Sequence, residues 1–272
     1  LEQVPRPWAA RRFWPNDSAF GQHAVVSLNS HIHVKIHHGV VPVREDGSAC
    51  FVVPAEKNLF FQALDKDFLE VQRMRSFVDF QPGEVRSCVG CHHYRPKAPA
   101  GPMPLALRDP PQRPGPQPGE TVPRPIHYPT DVQPIFDRHC TRCHSGKRLD
   151  GGLDLSGTMT DYFSRSYENL MNRRLVAYVQ EFYGPQPDGQ ITNVEPLPPQ
   201  ALGSHASRLM TIVRNGHYDV KLSREEFVRL ATWVDANGPY YGTYFGRRNR
   251  VYRDLPDFRP TPTLRSAAGV GP

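Results

Sequence analysis

Two Cys-x-x-Cys-His motifs occur in this sequence, CVGCH at residues 88–92 and CTRCH at residues 140–144. They use four of the five cysteines of the 272-residue chain. A chain with only five cysteines and twelve histidines would rarely contain such a motif by chance. The spacing is typical of covalent c-type haem attachment, in which two thiols add to the porphyrin vinyl groups and the next histidine binds the iron. The sequence therefore predicts two covalently attached haems, each held by one pair of thiols: Cys88 with Cys91, and Cys140 with Cys143.

Two other chemistries also use paired cysteines. The four motif cysteines could form a tetrahedral zinc site, but structural zinc pairs are usually separated by a short loop, whereas a proline-rich segment separates these two. A zinc site would also not explain why a histidine directly follows each cysteine pair. A disulfide within each pair is the third alternative. Cys50, outside both motifs, is predicted to be a small buried core residue.

The motif histidines, His92 and His144, are the predicted proximal iron ligands. For the second haem, Met210, His205 and His217 are candidates for the sixth position. Met210 shares an apolar helical face with its aliphatic neighbours, which favours core packing. His217 follows that helix, in the loop that supplies the distal ligand in cytochrome c domains. It is therefore preferred over His205, which could equally be a capping or surface residue.

The distal ligand of the first haem is predicted to come from the histidine-rich run HIHVKIHHG at residues 31–39. Alternation along a strand would place the odd-numbered residues, including Lys35, on one face and the even-numbered residues on the other. A solvated strand face is the alternative interpretation of this run. His93 and Tyr94 also lie close to the first motif. The candidate ligands are His31, His33, His37, His38 and Tyr94.

The rest of the sequence predicts an α+β protein, in which a small antiparallel β-sandwich carries one haem and a mainly α cytochrome c domain carries the second. Short β-branched and aromatic runs separated by turn residues fill residues 31–87. Eleven prolines within residues 95–126 exclude helix and interior strand, and predict either a plain spacer or a segment wrapped over both haem domains. The predicted division is an extended N-terminal segment (1–30), a β domain (31–94), a Pro-rich linker (95–126), a cytochrome c domain (127–240) and an extended tail (241–272).

Three helices are predicted around the second motif. Asp131 marks the start of the first, and an apolar face leads from it into the motif. Residues 204–217 are predicted to form a single second helix. The third begins with a capping box of Ser223 and Glu226, carries an apolar stripe, and ends before Gly238.

The formal net charge of +6 raises the question of nucleic acid binding. The arginines are scattered, and four haem propionates would lower the net charge to about +2, so no nucleic acid partner is expected. Arg86, Arg95 and Arg142 flank the motifs and are candidates to pair with propionates. The mean hydropathy is −0.55. No stretch approaches the about 18 apolar residues of a membrane span, so we expect a soluble chain.

Six segments resemble the C-terminal dihaem part of the hydrazine synthase alpha subunit and its relatives, over roughly residues 33–245: VPVREDGSACFVVPAEKNLFFQALDKD, QRMRSFVDFQPGEVRSCVGCH, DRHCTRCHSG, FSRSYENL, LGSHASRLM and GHYDVKLSREEF. The resemblance implies a β domain, a first haem in an unusual site, and a second haem with two histidine ligands in a cytochrome c fold. It supports His144 with His217 or His205. In that family a tyrosine four residues after the first motif histidine binds the iron, and this histidine helps to hold zinc. The matching position here is Pro96, and the nearest tyrosine is Tyr94.

These features predict an exported dihaem c-type cytochrome that transfers electrons, because the sequence shows no other pattern of catalytic residues. Thioether attachment in bacteria takes place outside the cytoplasm, and Leu1 looks like a processed N-terminus, so we expect a periplasmic or extracellular location. Redox proteins are the expected partners. The alternative is a haem enzyme related to hydrazine synthase that acts on small nitrogen compounds or peroxide at the first haem.

Self-association is a further prediction. The histidine-rich strand, the N-terminal segment and the aromatic tail would suit head-to-tail contacts, which do not close by symmetry and can grow into a conductive filament. A monomer with disordered ends is the competing prediction.

Overall fold

The computed structural model describes residues 1–4, 26–28, 33–74, 77–90, 101–161, 163–178 and 197–244. Strands and helices are both present in these ranges, which confirms the α+β class. The strands are β1 Glu2–Gln3, β2 Lys35–His37, β3 Gln62–Leu64, β4 Glu70–Arg73, β5 Arg124–Pro125, β6 His144–Ser145 and β7 Arg148–Leu149. The α-helices are α1 Gln133–His139, α2 Arg165–Asn172, α3 Gly203–Ala206, α4 Arg208–Asn215 and α5 Arg224–Asp235. No helix in the described ranges is long and apolar enough to cross a membrane.

The strands form three small antiparallel sheets, with the orders β1-β2-β5, β3-β4 and β6-β7. They are shorter than the apolar runs of the sequence suggest. In the run ACFVVP, for example, Phe51 makes an isolated bridge to Gln112 and no strand forms. The histidine-rich run contributes only Lys35–His37 to a strand, so the predicted alternation of faces extends over three residues.

The described part of the proline-rich segment, residues 101–126, packs against both the β region and the helices. Its strand β5 lies at the edge of the first sheet. Pro125 has no backbone N–H to donate, and an edge strand tolerates this because one of its sides has no partner strand in the sheet. Val40 and Gly115 form a further bridge to the β region. On the other side, Gln117 Nε2 donates to Thr232 Oγ1 of α5 over 2.7 Å. This segment therefore contributes to the packing between the two regions.

The prediction of one helix over residues 204–217 is wrong, because the helix is interrupted at Ser207. This residue has extended backbone angles, φ −76° and ψ 123°, between α3 and α4. Its hydroxyl donates to Gly203 O over 2.8 Å and accepts the Ala177 N–H over 2.8 Å. Side-chain hydrogen bonds of serine to the backbone compete with helix formation in this way.

The other helix predictions are confirmed. The capping box of Ser223 and Glu226 is present at the start of α5. At the start of the α1 region, Val132, Ile135 and Phe136 are buried as the apolar pattern predicted.

An aromatic cluster forms the centre of the core between α1, α2 and α5. Trp233 is fully buried, and its ring centroid lies 5.2 Å from that of Tyr128. Tyr167 and Tyr240 pack against one another with ring centroids 4.9 Å apart. The Trp233 indole N–H donates to Pro239 O over 2.8 Å, so the buried polar atom is satisfied. The cluster supports α1 and α5, which position the candidate site described below.

A buried polar cluster joins the β3–β4 hairpin to α3 and α5. Arg73 Nε donates to Glu70 Oε1 over 2.5 Å, and Arg73 Nη1 donates to Asn237 Oδ1 over 2.8 Å. Asp235 accepts hydrogen bonds from the backbone N–H and the hydroxyl of Ser204, over 2.6 and 2.7 Å. Arg73 Nη2 also lies 3.8 Å from Asp235 Oδ1, so the Arg73 guanidinium lies close to two buried carboxyl groups. Burial, with the nearby Glu70, raises the pKa of Asp235 to about 8.

Replacing Asp235 with asparagine should flatten the pH dependence of stability. An unfolded aspartate has a pKa of about 3.9, so the folded protein holds a proton that the unfolded chain loses between that pH and about pH 8. The contribution of the protonated Asp235 carboxyl to the free energy of unfolding is therefore complete below about pH 4, and it is lost as the pH rises through about 8. Because Asp235→Asn cannot lose this proton, its free energy of unfolding should fall less between about pH 5 and 9 than that of the wild type.

Urea unfolding at several pH values measures this difference. The exposed Asp161 provides a matched control, since Asp161→Asn should keep the wild-type pH dependence. Equal slopes for the wild type and Asp235→Asn would show that Asp235 is ionised in the folded protein at neutral pH.

Candidate functional site

A cavity of about 380 Å³ lies between α1, the β6–β7 hairpin, α4 and the loop before α5. Its volume lies within the range of about 300–1,000 Å³ that is usual for cofactor and ligand sites. The walls are mainly apolar and include Phe136, Leu153, Leu170, Leu209, Val213 and Leu230. Such a cavity suits a largely apolar cofactor.

The second Cys-x-x-Cys-His motif lines this cavity directly after α1. The backbone continues in a helical turn, with Cys140 N–H donating to Phe136 O over 2.8 Å and His144 N–H donating to Cys140 O over 3.0 Å. Cys140, Cys143 and His144 all contribute to the cavity wall. Both thiols are free. Burial raises the pKa of Cys140 to about 11, with a smaller contribution from Cys143, so this thiol is protonated at neutral pH.

His144 and His217 face each other across the cavity. Their ring centroids lie 6.1 Å apart, and their ring planes differ by 20°. His144 Nδ1 lies 3.3 Å from Leu153 O, an arrangement that leaves Nε2 available to a metal. A metal–imidazole bond is about 2 Å long, so two such ligands on opposite sides of one metal have nitrogens about 4 Å apart and ring centroids farther apart. The observed spacing fits one metal ion between the two rings.

The loop that carries His217 begins where α4 ends. Gly216 has a φ of 88° and turns the chain out of the helix. The turn of residues 217–220 is closed by a hydrogen bond from Val220 N–H to His217 O over 3.1 Å. Arg142 of the motif forms an ion pair with Asp219 of this turn. The two sides of the cavity are therefore connected at its edge.

The structure places the other two candidates for the sixth ligand elsewhere. Met210 is buried in the hydrophobic core and is not among the residues that line the cavity. His205 Nε2 lies 2.9 Å from Asp65 Oδ2, on the side of α3 that faces the β hairpin. His217 is thus the candidate that the fold brings opposite His144.

Two residues of the first motif, Cys91 and His92, lie outside the described residues. The candidates Tyr94, Arg95 and His31 also lie outside them. Cys88 is described, exposed and a free thiol, and Cys50 is a partly buried free thiol. The ligands of the first haem therefore stay predictions.

The described candidates for the distal ligand of the first haem all lie in or beside β2. His38 Nε2 lies 2.9 Å from Glu2 Oε2, and burial lowers the pKa of His37 to about 3. His33 is partly buried at the start of the described segment. His37 is therefore neutral, which is the form that binds metals.

Three cavity residues have no clear signal in the sequence. Arg173 at the end of α2 and Arg208 at the start of α4 both line the cavity, and neither has a carboxylate partner among the described residues. Tyr218 lines it as well, next to His217. Of the arginines proposed from the sequence, Arg86 pairs with Glu84.

Within the part of the chain that the structure describes, no three His, Cys, Asp or Glu side chains form a cluster able to hold a metal ion.

Residues 8–93 match the family model described as the hydrazine synthase alpha subunit middle domain. A solved chain of Kuenenia stuttgartiensis hydrazine synthase is similar, with 17% sequence identity and a TM-score of 0.45 over 70% of this chain and 31% of that chain. No curated protein matches. The sequence resemblance was to the C-terminal dihaem region, whereas the family match is to the middle domain and includes part of the N-terminal segment. The family match supports a relation to the hydrazine synthase alpha subunit over residues 8–93. The chain spans about a third of the length of the solved chain.

Proposed function

We propose that this chain is an exported dihaem c-type cytochrome whose function is electron transfer. The observation that carries the proposal is the opposed pair of imidazoles, His144 and His217, across an apolar cavity that also contains the thiols of Cys140 and Cys143. A haem bound there would supply reversible one-electron chemistry at its iron.

The residues of the cavity have complementary roles in this proposal. Cys140 and Cys143 would hold the cofactor covalently, and His144 and His217 would both bind its iron. A haem held by two histidines would supply electron transfer rather than a binding site for a substrate. The apolar walls limit access of water and lower the local dielectric constant. Arg208 lines the cavity and would pair with a propionate. Arg173 lines it as well, but its guanidinium donates to Gly151 O and Gly152 O, so a propionate there would compete with these carbonyl groups.

The first motif would bind another haem through Cys88, Cys91 and His92. Export follows from the chemistry of thioether attachment, and the partners would be redox proteins that donate or accept electrons at the haem edges. Head-to-tail self-association stays a prediction, because most of the segments that suggested it lie outside the described residues. Light scattering of the natively purified protein tests it, and a mass of one subunit at high concentration would exclude a filament.

The number of covalent haems provides the direct test of the proposed function. The intact mass of the natively purified protein should exceed that of the bare chain by two haems. The double variant Cys140→Ser, Cys143→Ser should lose one haem, and its mass should otherwise change only by the replacement of two sulfur atoms with oxygen. Cys50→Ser is a matched control, because Cys50 lies outside both motifs, and it should retain two haems. Bound zinc without covalent porphyrin would contradict the proposal.

A haem enzyme remains the second candidate, because the family match over residues 8–93 includes the first motif. In this alternative the first haem has an open or tyrosine-ligated iron and acts on small nitrogen compounds or peroxide. Spin state distinguishes the two functions. Two low-spin haems that do not bind CO would exclude an open site in the resting protein, whereas rapid binding of CO or nitrite at one haem would favour the enzyme.

A further inference from the structure

The backbone of Tyr218 is in a conformation that tyrosine rarely adopts. Its φ is 53°, in the left-handed region, within the tight turn that follows His217. A side chain disfavours this conformation, and glycine or asparagine is usual at such positions. Five other described non-glycine residues, among them Phe68, also have positive φ. Backbone strain of this kind is often compensated by contacts of the side chain, so the surroundings of the Tyr218 ring matter.

Burial of the ring does not provide that compensation. Tyr218 is 91% exposed, although it is a large aromatic residue at the edge of the cavity. Its ring instead contacts the imidazole of His217, with centroids 4.9 Å apart and planes at 77°. This is an edge-to-face contact, a geometry that aromatic pairs prefer and that depends on the relative orientation of the two rings.

The opposite imidazole also has a neighbour that limits its rotation. His144 Nδ1 lies 3.3 Å from Leu153 O, so the plane of this ring is set by a carbonyl group. With Leu153 O beside one ring and Tyr218 beside the other, the two imidazole planes differ by only 20°.

We propose that Tyr218 is a positioning residue that holds the imidazole plane of His217 nearly parallel to that of His144. The inference rests on the proposed function, because the angle has a chemical consequence only when both rings bind the same haem iron. That consequence is electronic: in a ferric haem with two imidazole ligands, the angle between the ligand planes sets the splitting of the iron d orbitals that share the unpaired electron.

Electron paramagnetic resonance of the ferric holoprotein reports this angle. Nearly parallel imidazoles give a rhombic low-spin spectrum with three resolved g values, and nearly perpendicular ones give a single dominant feature at large g. The signal of the second haem is identified as the one that His217→Ala removes. We expect this signal to be rhombic in the wild type and in Tyr218→Phe, which keeps the ring. In Tyr218→Gly the rhombic signal should be lost and replaced by a broadened or large-g feature.

The melting temperature separates positioning from a general loss of structure. Glycine relieves the left-handed strain at residue 218, but it also loses the contact with His217 and gives the unfolded chain more freedom. These effects oppose each other, so the Tm of Tyr218→Gly should stay within about 2–8 °C of the wild type, the usual range for one small effect, while its spectrum changes. An unchanged spectrum in Tyr218→Gly, an equally large change in Tyr218→Phe, or a drop in Tm well beyond this range would overturn the inference. If His217→Ala removes no low-spin signal, the proposed function of the second site fails instead.

Discussion

Replacing His217 with alanine is expected to change the haem proposed at the second motif from low-spin to high-spin and to leave its iron with a free ligand site. His217 and His144 face each other at a ring distance of 6.1 Å, and His144 should stay bound because its Nδ1 remains beside Leu153 O, outside the loop that carries His217. Carbon monoxide should then bind the reduced protein at this haem, on the order of tenfold faster or more than in the wild type. Absorption spectroscopy and CO-binding kinetics measure both effects.

The matched control for this experiment is His205→Ala. His205 is the other histidine proposed from the sequence, and its Nε2 lies 2.9 Å from Asp65 Oδ2. Its loss should leave the haem spectrum unchanged. The opposite pattern, with a high-spin haem in His205→Ala and none in His217→Ala, would show that the ligand has been assigned to the wrong residue.

Replacing Trp233 with alanine is expected to lower the free energy of unfolding by about 3–5 kcal/mol, the usual effect of removing a large aromatic residue from a core. Trp233 is fully buried, contacts Tyr128 at a centroid distance of 5.2 Å, and donates its indole N–H to Pro239 O. The substitution would leave a cavity among the aromatic rings and an unpaired carbonyl group. Denaturant unfolding of the holoprotein, followed by circular dichroism, provides the measurement.

Val85→Ala serves as the control, because Val85 is 93% exposed and its truncation should change stability by about 0.5 kcal/mol or less. If Trp233→Ala were no less stable than Val85→Ala, the aromatic cluster would not be the centre of the core. Trp233→Phe should fall between the two, since it keeps an aromatic ring but loses the hydrogen bond to Pro239 O.

The features of this protein that the sequence determined are local ones. The two Cys-x-x-Cys-His motifs, the capping box of Ser223 and Glu226, and the apolar face before Cys140 each involve residues within a few positions of one another. Helix geometry and side-chain hydrogen bonds act over this range, so the pattern alone predicts the structure. The proposed thioether chemistry would be equally local, because both thiols and the motif histidine belong to one short segment.

Other features were decided only by the tertiary structure. Met210, His205 and His217 lie close together in the sequence, and their spacing alone does not identify the one opposite His144. The break at Ser207 and the turn after Gly216 settle this placement, because they direct His205 to the β hairpin, Met210 to the core and His217 to the cavity.

The same limit applies to residues that are distant in the sequence. Arg173 and Arg208 both line the cavity, and the segment after α2 is joined to the start of α4 by a hydrogen bond from Leu209 N–H to Leu175 O over 2.9 Å. Glu70 and Asp235 share one buried cluster because the β3–β4 hairpin contacts α5, where Gln62 Nε2 donates to Asp235 O over 2.9 Å. Residue types and spacing predict which chemistry a segment can perform. The packing of segments that are far apart in the chain determines which side chains meet, and this depends on the whole core rather than on any local pattern.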